Sequence, residues 1–199
     1  MDNISWETYE RLLAESTANP GTRFTYDNGN LEIMVVYIGH EDPNCILEAI
    51  VAFTASERRL DYFRSGSTTL KRSDLLKGCE ADSSFYFRNA AAMRQLRKSR
   101  NIDLQIDPAP DLAIEVDITR SSLQRFPIFA AIGISEVWRY DGERVRFYAL
   151  DGGIYREVES SAVLPPLTSA QATRFLDQSP NQAAPDWEEA VRDWVRARI

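Results

Sequence analysis

Eight residues near the middle of the chain, Asp111-Leu-Ala-Ile-Glu-Val-Asp-Ile118, constrain its fold more than any other segment. Successive side chains of a strand point to opposite faces, so the run sorts into Leu112, Ile114, Val116 and Ile118 on one face and Asp111, Ala113, Glu115 and Asp117 on the other. Pro108 and Pro110 block a helix just before it and force an extended entry. Apolar neighbours on both sides of the run mark a central strand, where bare carboxylates are costly. Three carboxylates on one face, with no basic residue among them, repel unless water or a cation comes between them. Such a cluster points to a functional site; the alternative is a solvated strand face.

The rest of the 199 residues supplies the layers that would cover such a strand. Ser5 caps an expected opening helix with Trp6, Tyr9, Leu12 and Leu13 at helical spacing. Alternating apolar residues from Phe24 to Val36 flank Asp27-Asn28-Gly29, a hairpin signal because Asn and Gly tolerate positive φ. The stripe Ile46, Ile50, Phe53, Leu60 and Phe63 predicts a long helix ending near Gly66. Short β-rich runs follow at 67–70 and 83–87, with Asp82 at the mouth of the second.

Thr119 to Ser122 offer caps for a helix through Phe126, Phe129 and Ile132 to Gly133. The segments 136–140 and 144–150 form an aromatic-rich hairpin, and Gly152-Gly153 leads to another strand. Strand aromatics usually fill cores, though Trp138 and Tyr148 also suit base stacking. Thr168 caps a helix to Leu176, and Trp187, Ala190, Val191, Trp194 and Val195 stripe a last one. The expected organisation is a single domain over 1–199, with a core at about 5–160 and a helical extension at about 167–198.

Composition removes most chemistries. One histidine, His40, rules out triads, histidine zinc sites and HExxH helices. No phosphate-cradling glycine loop is present, and Cys45 and Cys79 form no CxxC pair. A net charge of −7 opposes general coating of a phosphate backbone, so nucleic-acid contact must be local. The basic run Arg88, Arg94, Arg97, Lys98 and Arg100 is either a solvated surface segment or a phosphate-steering patch. With no basic start and no long apolar run, the chain reads as cytoplasmic and not membrane-bound. Chemistry must run on carboxylates and cations. Asp82 and Glu115 on neighbouring strands supply the one or two carboxylates that Mg²⁺ accepts.

The segments 78–82 (GCEAD), 110–119 (PDLAIEVDIT) and 130–141 (AAIGISEVWRYD) together resemble the Uma-two type family of putative restriction endonucleases, within the PD-(D/E)xK nuclease superfamily. The likeness spans roughly residues 5–198. It implies an α/β restriction-endonuclease-like core, a mixed β-sheet flanked by helices, with an N-terminal hairpin and C-terminal helices. It also implies a Mg²⁺- or Mn²⁺-dependent endonuclease acting on nucleic acid, DNA first, and it allows a homodimer.

Carried over by position, Asp82 and Glu115 are the acidic metal ligands, whereas Asp117 stands where the superfamily pattern has lysine. The family's lysine lies on the following helix, and Arg125 occupies the matching place, with Phe129 at the usual tyrosine. Arginine keeps the charge and can fork onto a phosphate but shuttles no proton, its pKa lying above about 12. Asp111 is a same-face neighbour of Glu115 outside the motif. The alternative is a catalytically eroded nuclease fold serving as a nucleic-acid-binding or protein-interaction module.

Overall fold

The computed structural model describes residues 1–16, 21–35, 38–96, 98, 102–118 and 124–199. Helix α1 (Trp6–Glu15) is capped by Ser5, whose Oγ accepts from the Thr8 N–H at 3.2 Å. Strands β1 (Thr22–Asp27) and β2 (Asn30–Val35) form the expected hairpin, with Asn28 and Gly29 at φ 46° and 90° in its two-residue turn.

The long helix differs from its expected bounds: α2 spans Ile38–Glu57. It starts earlier, with Glu41 in the first turn favouring the positive end of the helix dipole, and it takes in Pro43 at its sixth position, which forgoes one i→i−4 bond. It stops earlier because the Arg59 N–H returns to Ser56 O at 3.0 Å and the Leu60 N–H to Ala55 O at 2.9 Å, with Arg59 at φ 53°. Glycine is the usual signal for this ending. Phe63 therefore leaves the helical stripe and enters a strand.

Strands β3 (Phe63–Arg64), β4 (Thr69–Arg72), β5 (Lys77–Glu80) and β6 (Ser83–Tyr86) follow, then α3 (Ala90–Leu96) and β7 (Leu112–Val116). Beyond β7 lie α4 (Arg125–Ile132), β8 (Glu136–Tyr140), β9 (Val145–Asp151), β10 (Ile154–Val158), α5 (Ser169–Gln178) and α6 (Ala184–Arg196). The anticipated caps Thr119 to Ser122 lie outside the described residues. No helix among the described residues is long and apolar enough to cross a membrane.

The strands make two sheets, a four-stranded one ordered β2-β1-β5-β4 and a six-stranded one ordered β10-β9-β8-β7-β6-β3. In the larger sheet β7 and β8 are parallel and the remaining pairs antiparallel, so the sheet is mixed, with β7 well inside it. The period-two reading of β7 holds. Leu112, Ile114 and Val116 join a core with Leu47, Ile50 and Val51 of α2, Phe175 of α5 and Val191 of α6. Ala113, on the opposite face, packs with Ile128 and Phe129 of α4 and with Cys79 of β5. Trp138 is fully buried and stacks on Phe147 at 4.4 Å between centroids, so these aromatics build core and not a base-stacking surface.

Two close contacts lock the layers. A Cβ at Gly78 would lie 2.9 Å from ring carbons of Tyr9, itself fully buried and stacked on Tyr26. Gly78→Ala therefore overpacks the seat of α1 and is expected to cost about 1–3 kcal/mol, measured by urea unfolding. Glu136 is buried and accepts from Trp138 Nε1 at 2.6 Å, Ser161 Oγ at 2.6 Å and the Ala162 N–H at 2.8 Å. Glu136→Ala orphans these donors and is expected to cost about 3 kcal/mol, with Glu136→Gln costing less.

Candidate metal centre

Asp82 immediately precedes β6, whose register with β7 pairs Ser83 with Ile114 and Ser84 with Ala113. One further step of that antiparallel ladder sets Asp82 opposite Glu115. The Val116 N–H donates to Asp82 Oδ2 at 2.7 Å, which fixes the carboxylate against the end of β7. Both acids are withdrawn from solvent, Asp82 5 % and Glu115 6 % exposed.

Arg125, the first residue of α4, reaches the same place and is 7 % exposed. Its Nη1 donates to Glu115 Oε1, and its Nη2 lies 3.9 Å from Met34 Sδ on β2. Two carboxylates and one guanidinium thus share a buried space. The Glu115 carboxyl is raised to about 8, first by burial, against the pull of the Arg125 guanidinium and with the help of Asp82 and Asp117. For Arg125 burial opposes the charge, but Glu115 and Asp82 beside it hold its pKa above the ordinary value.

Asp117 follows β7 on the same face, yet its Oδ2 accepts from Arg139 Nε at 3.1 Å and Nη2 at 2.6 Å. Its influence on Glu115 is through the field. Asp111, at the other end of β7, accepts the Phe87 and Arg88 N–H groups on Oδ2 and serves as a structural tie. The structure therefore brings together Asp82, Glu115 and Arg125, with Asp117 at the margin.

The residues suit a hard divalent cation. Glu115 Oε2 is buried with no hydrogen-bond partner among the described residues, a costly state for a carboxylate oxygen. Two carboxylates are the usual protein share for Mg²⁺, which keeps water elsewhere. Among the described residues no group of three or more His, Cys, Asp or Glu forms a metal cluster, so a zinc-like cage is not built here.

Two contributors escaped the sequence reading. Met34 touches Arg125, and Glu32 adds to the field that holds its charge. Their i, i+2 spacing on β2 was the available signal. The basic run is largely committed elsewhere: Arg88 binds Asp111 and Ser135, and Arg94 binds Asp61 and the Tyr62 carbonyl. Arg97 and Arg100 lie outside the described residues.

A family model described as "Putative restriction endonuclease", Uma2, matches residues 6–179. No functionally curated protein matches the chain. The structure is similar to a crystal structure described as a putative nuclease belonging to DUF820 from Anabaena variabilis, 14 % identical, covering 86 % of this chain and 90 % of that one with a TM-score of 0.48. With the family model spanning most of its length, the chain belongs to the Uma2 family of putative restriction endonucleases.

Proposed function

We propose that the protein is a metal-dependent endonuclease that hydrolyses phosphodiester bonds of nucleic acid, DNA first, with Asp82 and Glu115 holding Mg²⁺ or Mn²⁺. The observation that carries this reading is the buried Glu115 Oε2, without a hydrogen-bond partner among the described residues, beside Asp82 on adjoining strands. When bound, the ion supplies Lewis-acid charge at the scissile phosphate. Arg125 presents a planar fork that suits phosphate oxygens and stabilises developing negative charge without transferring a proton. Asp117, anchored by Arg139, assists by adding negative field at Glu115.

A second reading has its own support: Arg125 already neutralises Glu115, and Asp117 is tied to Arg139, so a nuclease fold that only binds nucleic acid fits those contacts. Incubation of supercoiled plasmid and single-stranded oligonucleotides with Mg²⁺ or Mn²⁺ separates the two. The endonuclease predicts nicking that falls at least 100-fold in Asp82→Asn, consistent with the several kcal/mol a metal contributes. Absence of ion-dependent nicking in the wild-type protein supports the binding module instead.

A further inference from the structure

An open recess of about 570 Å³ lies at the C-terminal ends of α2 and α6, lined by Glu57, Arg58, Arg59 and Arg198 together with Pro165 and Pro166. It shares no residue with the Asp82–Glu115 centre. Three arginines at one recess are unexpected in a chain of net charge −7. The acid in the lining does not quench them, because Glu57 is already held by Arg192 through Oε1 at 2.9 Å and by Arg196 through Oε2 at 2.8 Å.

Each arginine brings donors to the recess in its own way. Arg58 Nη1 is buried without an acceptor among the described residues, which is costly for a charged donor unless something else accepts from it. Arg59 holds φ 53° at the end of α2, a left-handed position where glycine is preferred. That turn, which also stops α2, leaves the Arg59 side chain exposed at the lip of the recess. Arg198 is exposed and lies with its guanidinium 4.1 Å over the Trp194 ring, one Nη1 donating to the Trp194 carbonyl, which pre-orients the remaining donors.

We infer that this recess is a phosphate-binding site, remote from the metal centre, that anchors the backbone of a bound nucleic acid. Arginine forks match phosphate oxygens bidentately, and a local cluster is the kind of contact an otherwise acidic protein needs to hold a polyanion. The choice of nucleic acid as the bearer of the phosphate rests on the nuclease reading; the phosphate chemistry of the recess does not.

The test is fluorescence anisotropy of a labelled 30-base-pair duplex in EDTA, across salt from 50 to 200 mM, for wild type and the double variant Arg59→Gly/Arg198→Gln. Arg59→Gly relaxes the left-handed position, so the variant should melt no lower than wild type. Loss of about two phosphate contacts should lower affinity on the order of tenfold and flatten the slope of log K against log salt by about 2. Unchanged affinity and slope overturn the proposal.

Inorganic phosphate, followed by ³¹P line broadening, is the second arm and needs no nuclease activity. Broadening lost in the variant while duplex binding is unaltered overturns the nucleic-acid assignment in favour of a free-phosphate pocket. If the wild-type protein binds no duplex, the nucleic-acid role of the recess is overturned, while the nuclease reading is decided separately by ion-dependent nicking.

Discussion

Arg125→Met lowers the stability of the metal-free protein by about 3–5 kcal/mol, because removing one partner of a buried ion pair leaves the other charge uncompensated. At about 2–4 °C per kcal/mol for a chain of this size, the melting temperature drops on the order of 10 °C. Asp82 and Glu115 then lose the Arg125 charge, and Mn²⁺ at millimolar concentration restores much of the loss by binding only the folded state.

The penalty depends on pH in a defined direction. A carboxyl whose folded pKa is raised above its ordinary 4.5, as Glu115 is to about 8, favours folding at low pH and loses that contribution as pH rises between those values. Without Arg125 the push on Glu115 is larger, so the deficit of the variant should be smaller at pH 5 than at pH 8, read by thermal melts in metal-free buffer. Arg125→Lys keeps the charge and so retains most of the stability. Cleavage restored or raised in that variant identifies an eroded enzyme, whereas no cleavage in either form supports the binding module.

Glu115→Gln is the second large effect. It keeps the shape of the side chain but removes the charge that both Arg125 and a divalent ion need, so Mn²⁺ affinity is expected to fall at least 100-fold. It also strands the buried Arg125, at a cost of about 3 kcal/mol. The double variant Glu115→Gln/Arg125→Met should be more stable than the sum of the single changes predicts, by about 1–3 kcal/mol, because the two side chains are in contact. Urea unfolding of all four proteins reads that coupling.

Much of this arrangement was legible in β7 and its neighbours. Strict alternation from Leu112 to Val116 assigned the two faces correctly, and Asp82 stands at the mouth of β6 as its position implied. Local patterns also marked α5 and α6, with Trp187 and Val191 of the expected α6 stripe in the core and Trp194 packed against it, while Ala190 lies exposed. What the pattern did not carry is contact across space. Pairing of β1 with β5 joins Thr25 to Cys79, a separation no local signal spans, so the hairpin's place in a four-stranded sheet was hidden.

The end of α2 was hidden for a different reason: an arginine fills the position where glycine would have announced the stop. The capture of Asp117 by Arg139 follows from the parallel pairing of β7 with β8, which sets Glu115 beside Arg139 in register. Likewise, the family resemblance implied a phosphate-stabilising role for Arg125, but its direct pairing with Glu115 depends on how α4 crosses the sheet.

The proposed function requires that Asp82 and Glu115 form one preformed carboxylate site for a divalent ion. Calorimetric titration of Mn²⁺ into the wild-type protein, Asp82→Ala and Glu115→Ala tests it without any assumption about substrate, provided near-ultraviolet circular dichroism shows each variant folded. The expected result is saturable binding of one ion in the wild type, lost in both variants. An absence of binding in the wild type, or binding indifferent to either substitution, would contradict it.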